Sequence, residues 1–131
     1  MRYLLDTNAV IAVLNDAGSK VGERLRREAP ADIAVSAIVM HELFYGAFKS
    51  RRVSQNAGLI DSLQFDVLEF SNEDARQAGV IRADLAVLGT PIGPYDVLIA
   101  GQALSRDMTL VTRNTAEFAR VPALRIEDWE G

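Results

Sequence analysis

Apolar positions in this chain fall into two alternating rhythms. Short apolar runs at Tyr3–Leu5, Ile33–Val35, Val67–Phe70 and Thr109–Val111 predict strands, and Leu124–Ile126 predicts a short fifth. Between them lie segments with helical spacing. The first runs from about Ala9 to Leu14, and a polar amphipathic stretch follows from Ser19 to Glu28. Ser36 is placed to cap a helix reaching about Phe48, with Met40, Leu43, Phe44 and Ala47 as its apolar stripe. Leu59, Ile60 and Leu63 suggest another helix. Ser71 then caps a long one: Asp74 sits in its first turn, Ala78, Ile81, Leu85 and Leu88 repeat along one face, and Gly89 stops it. Pro94 suits the first position of the next helix, and DVLIAGQALS is apolar almost all round, which predicts burial.

Strands alternating with helices imply one α/β domain over residues 1–131. The expected core is a mostly parallel sheet of four to five short strands, with helices on both faces. Such sheets bind ligands at the carboxyl ends of their strands, near the point where strand order reverses.

That expectation gives meaning to the stretch LLDTNAVI. A carboxylate between two apolar segments is expensive to bury, so Asp6 either caps the helix behind it or is held at a strand end for chemistry. Glu42 follows the second strand, on a helix side away from the apolar stripe, near Ile38 and Tyr45. Asp96 opens the buried helix, and Asn114 and Glu117 follow the fourth strand in TRNTAEF. Each taken singly has an ordinary explanation as a cap, a helix-dipole partner or a surface acid. Gathered at one sheet edge they repel and call for a cation. Oxygen donors without a His or Cys cluster select Mg²⁺ or Mn²⁺ over zinc.

Composition narrows the chemistry further. The chain has no cysteine, which excludes disulfides, thiolate metal sites and cysteine nucleophiles. His41 is the sole histidine, so a site needing two cannot be built. A net charge of −4 argues against a nucleic-acid-coating protein. Twelve of the fourteen basic residues are arginine, a bias that suits phosphate recognition and also follows from a GC-rich genome. Lys49, Ser50, Arg51 and Arg52 form the one tight basic run, a candidate RNA-backbone contact or a solvated helix end. With no signal-like segment and no membrane-length apolar run, a cytoplasmic location is the expectation.

The motifs LLDTNAVI, SAIVMHELFYGA, IRADLAVLGTPIGPYDVLIAGQAL and LVTRNTAEF, in this order, resemble a PIN-domain ribonuclease of the VapC toxin type. The likeness runs nearly end to end and includes the closing RIEDW. It implies a Mg²⁺- or Mn²⁺-dependent RNA endonuclease, inhibited by a small cognate antitoxin and usually dimeric. Several relatives of this type cut structured RNA such as tRNA. The family's acidic positions fall on Asp6, Glu42 and Asp96. Many members carry an aspartate where this chain has Asn114, and Glu117 is the candidate to supply the missing charge. On this basis Asp6 and Asp96 are expected to hold the metal and Glu42 to activate water. Thr7, Asn8, Thr112 and Asn114 are expected to contact the scissile phosphate or orient the acids. Arg82 is a candidate phosphate or carboxylate partner, with an ordinary surface salt bridge as its alternative.

Rival readings fit less well. A haloacid-dehalogenase-type phosphatase needs a second aspartate where Asn8 stands, and a receiver domain needs an acidic pair and a late lysine. The alternative from another class is a non-catalytic module that binds RNA or a partner. A pure binder has no reason to keep mutually repelling acids.

Overall fold

A computed structural model describes residues 1–131. Five strands form one sheet: β1 (Tyr3–Leu5), β2 (Ile33–Ser36), β3 (Asp66–Leu68), β4 (Thr109–Val111) and β5 (Ile126–Glu127). They lie in the order β3-β2-β1-β4-β5, and every neighbouring pair is parallel. The sheet is therefore parallel throughout. β1 is central, with Leu4 beside Ala34 on one side and Leu110 on the other. All three are fully buried, and each leucine contributes about 2 kcal/mol through removal from water.

Seven helices connect the strands: α1 (Thr7–Asn15), α2 (Lys20–Arg27), α3 (Ala37–Phe48), α4 (Val53–Asp61), α5 (Asn72–Leu88), α6 (Pro94–Ser105) and α7 (Thr115–Phe118). The chain moves outward from β1 to β2 and β3, then crosses back to β4 on the other side. Right-handed crossovers consequently place α1 to α4 on one face and α5 to α7 on the other. Strand order reverses between β1 and β4, and Asp6 and Thr112 are the first residues beyond the paired segments of those two strands. This is the position where parallel sheets open a crevice.

The predicted elements are present, with shifted edges. The third strand lies at Asp66–Leu68 rather than Val67–Phe70, because pairing with β2 ends at Leu68 and Ser71 already caps α5. The fifth lies at Ile126–Glu127, set by its register against Leu110 and Val111. On α3 the buried face is Val39, Leu43 and Ala47, while Met40 and Phe44 are only half-buried. The stripe is thus rotated toward the sheet by one position.

Asp74 does more than complement a helix dipole. It is fully buried, completes a capping box with Ser71, and accepts from Arg106 Nη2 at 3.1 Å and Gln102 Nε2 at 3.2 Å. Ser105 also donates to it. One carboxylate thereby ties the start of α5 to the end of α6. At the other end of α5, Gly89 adopts φ 70°, the left-handed conformation that terminates the helix without a Cβ penalty.

Candidate active site

The acids flagged in the sequence meet around the carboxyl edge of the sheet. Asp6 is buried at the end of β1, where its amide donates to the Val111 carbonyl at 3.0 Å. Its Oδ1 accepts from the Ala9 amide at 2.8 Å, so Asp6 does cap α1. The cap occupies Oδ1 and leaves Oδ2 for other partners. Burial pushes the pKa of Asp6 up, and the Glu130 and Glu42 carboxylates push it further. Hydrogen bonding from Thr112 and Ala9 opposes them without reversing the direction.

Glu42 reaches the site from the second turn of α3. Its Oε1 accepts from the Thr7 hydroxyl at 3.0 Å, which fixes the carboxylate against the first turn of α1. Asp96 enters from the first turn of α6. Burial, then the Glu117, Glu42 and Asp6 carboxylates, raise its pKa to about 6. Gly93 admits this arrangement: a Cβ there would lie 2.9 Å from Asp96 Oδ2. Glu117, on α7, accepts from the Gly93 amide at 2.8 Å and from Asn114 Nδ2 at 2.5 Å. The Gly93 bond above all, with that from Asn114, holds its pKa below the ordinary value against the opposing effect of burial.

The other singled-out residues divide. Thr112 is buried beside Asp6, and its hydroxyl accepts from the Asn114 amide at 3.0 Å. Asn114 directs its side chain to Glu117, so its structural part is to orient that acid. Asn8 is exposed on the first turn of α1. Arg82 is exposed, takes part in none of the chain's ion pairs, and lines a cavity of about 330 Å³ with Pro91, Ile92 and Pro94. The surface salt bridge considered for it is therefore not formed. His41 is exposed and packs on Tyr95, with ring centroids 5.5 Å apart.

One acid escaped the sequence reading. Glu130 lies three residues beyond β5, close enough to Asp6 to act on its pKa. The signal was available: like Asp6 and Glu117, it is an acid just past the carboxyl end of a strand. The strand was too short, and placed too early, to draw attention to it.

No arginine or lysine pairs with Asp6, Glu42, Asp96 or Glu117. Neutral donors position Asp6, Glu42 and Glu117, and no three of these acids converge closely enough to hold a metal ion as they stand. A set of repelling carboxylates without a cationic partner from the protein suits a hard divalent cation.

Comparison with known proteins agrees with this arrangement. A model of the PIN domain matches residues 3–124. The tRNA(fMet)-specific endonuclease VapC of Salmonella typhimurium is 39% identical over 98% of both chains. Ribonuclease VapC2 of Rickettsia felis is 36% identical over 99% of both. A crystal structure of DNA-bound VapBC from Salmonella typhimurium superposes with a TM-score of 0.94 at 39% identity, covering 98% of each chain. The order of the strands, the acids at their ends and these full-length likenesses converge: the chain belongs to the PIN domain family, in its VapC branch.

Proposed function

We propose that this protein is the toxin of a toxin–antitoxin pair, an endoribonuclease that hydrolyses RNA phosphodiester bonds with the help of Mg²⁺ or Mn²⁺. The observation that carries the reading is the acid set at the β1/β4 switch point, drawn from four separate elements and neutralised by no basic side chain. The names of the relatives support nuclease activity, and tRNA is the substrate class that the Salmonella relative's name suggests.

In this reading Asp6 and Asp96 hold the cation, with Glu117 beside them. When bound, the ion polarises the phosphate and lowers the pKa of an attacking water. Glu42 is the base: the Thr7 hydroxyl orients its carboxylate toward the opening, and it accepts the proton that the water loses. Thr112 and Asn114 keep Asp6 and Glu117 in place from behind. Arg82, without a protein partner, is available to an RNA phosphate.

VapBC complexes among the structural relatives support a cognate antitoxin as the partner. A groove of about 280 Å³ lined by Ile11, Leu14, Leu43, Leu59 and Ile60 runs up to Glu42, and we assign it to that partner's apolar segment. An arginine of the antitoxin placed among the acids would occupy the cation's position through charge-assisted bonds. The exposed Tyr45 and Phe48, with Phe44 stacked on Phe48 at 5.9 Å, support a homodimer contact on α3. No helix is long and apolar enough to cross a membrane.

The deciding experiment is an RNA cleavage assay on purified, antitoxin-free protein. Cleavage with Mg²⁺ or Mn²⁺ and silence in EDTA are expected. Undiminished cleavage in EDTA would overturn the metal-dependent mechanism, and no cleavage under any condition would favour a binding module.

A further inference from the structure

Two of the site acids, Glu42 and Asp96, are each preceded by a ring. His41 stands directly before Glu42 on α3, and Tyr95 directly before Asp96 on α6. Chain geometry keeps the Cα of each ring residue about 3.8 Å from the Cα of its acid. The two rings also meet each other, with centroids 5.5 Å apart and planes inclined at 57°. A ring pair carried on two packed helices therefore flanks the two acids.

This pair is no part of the core. Tyr95 keeps 45% of its surface exposed, and His41 is exposed beside it. Their tilted contact is weakly attractive and holds both rings in place. Burial gives no reason for leaving them open at the mouth of the site. Open ring faces are what single-stranded nucleic acid stacks on, because every base has a π-face. Charges that suit phosphate stand at the end of α3. Lys49, about 12 Å beyond His41 at the rise of an α-helix, is exposed together with Arg51 and Arg52, and none of the three forms an ion pair. An apolar protein segment would leave those charges unmatched. An RNA strand matches the rings and the charges together.

We infer that His41 and Tyr95 form a stacking platform for one base of the RNA, next to the bond that the acids act on. The inference rests on the ribonuclease reading above and supplies its means of seating an unpaired nucleotide. The rings hold the base, and the proton transfers stay with the acids.

The test uses the single histidine of the chain as a reporter. A short single-stranded oligoadenylate is added to the parent protein in EDTA, and the His41 ring protons are followed by NMR. A base stacked on the pair should shift them, and an abasic oligomer of equal length should move them far less. Tyr95→Ala and His41→Ala are each expected to weaken oligoadenylate binding roughly tenfold, the scale of one base stack. Their binding of the abasic oligomer should match the parent's, and Tyr95→Phe should bind oligoadenylate as the parent does. A merely structural role would weaken both oligomers alike. Equal losses for the two oligomers, parent-like oligoadenylate binding by both alanine variants, or an unmoved His41 signal overturns the inference and leaves the ribonuclease reading standing. Ring protons that move on dilution of the free protein, and not with RNA, mark a contact between copies and overturn it too. A parent protein that cleaves no RNA under any metal condition overturns the reading beneath it.

Discussion

The Thr7 hydroxyl donates a 3.0 Å hydrogen bond to Glu42 Oε1, joining residues 35 positions apart across the mouth of the site. If this bond aims the base, Thr7→Val should lower kcat by roughly 10- to 100-fold, the range for losing a hydrogen bond to a charged group. Thr7→Ser should restore most of it. Single-turnover RNA cleavage by the two variants, with melting curves to exclude unfolding, checks the assignment.

Asp6 both caps α1 and faces the other acids, and one substitution separates the two roles. Asparagine caps about as well as aspartate, so Asp6→Asn should fold normally and melt at or above the parent's temperature without metal. Cleavage should be abolished. At Mn²⁺ near 100 times its dissociation constant the parent should gain about 2.7 kcal/mol of stability and the variant almost none. A variant that stays active and still gains stability would reduce Asp6 to a cap.

The raised pKa of Asp96, about 6, has a definite sign. A carboxyl whose folded pKa lies above its unfolded value destabilises the fold when it ionises. The contribution of Asp96 to metal-free stability should therefore be fully present below about pH 4 and lost as pH rises through about 6. Mn²⁺ competes with the same proton, so its stabilising effect should grow over that window. Melting curves across it, with and without Mn²⁺, should diverge; parallel curves would contradict the assignment.

Asp74 shows the opposite sign. Burial alone would raise its pKa, but bonds from Arg106, Ser105 and Ser71 outweigh it and hold the value at about 2. The stability this confers, about 2 kcal/mol, is fully present above about pH 4 and is lost as pH falls through 2. Asp74→Asn should remove it, and acid unfolding of the variant should show a flatter pH dependence than the parent. RNA cleavage per folded molecule should be unchanged, because Asp74 lies at the far end of α6 from Asp96.

The groove beside Glu42 gives a prediction about control. Leu59 is exposed at its rim on α4. Leu59→Asp should weaken antitoxin binding at least tenfold, because an unpaired charge then faces an apolar segment. Cleavage by the free toxin should be unaffected. Titration calorimetry with the cognate antitoxin and a parallel RNA assay provide the two readings.

Much of this site was legible before any coordinates, and the reason is local. Asp6, Glu42, Asp96 and Glu117 each sit just after a strand or in the early turns of a helix, where capping and turn signals fix an element's start. The rotation of the α3 stripe toward Val39 was not legible, because a helix apolar on several sides shows no single period. Asp74 was read as a dipole partner since its other contacts, Ser105 and Arg106, lie over thirty residues away. Glu130 was hidden by the two-residue length of β5, which is defined by pairing with β4 and barely by its own residues.

The strand order also governs when the enzyme comes into being. β1 is made first, yet its partner across the switch point is β4, with Tyr3 aligned to Thr109. Until more than a hundred residues have followed, Asp6 has no neighbour on that side, and Glu117 comes later still. Closing so long a loop is slow and entropically costly, so few partial structures will contain it. A nascent chain on the ribosome is thus no nuclease. Its toxicity begins only once nearly the whole polypeptide has been released.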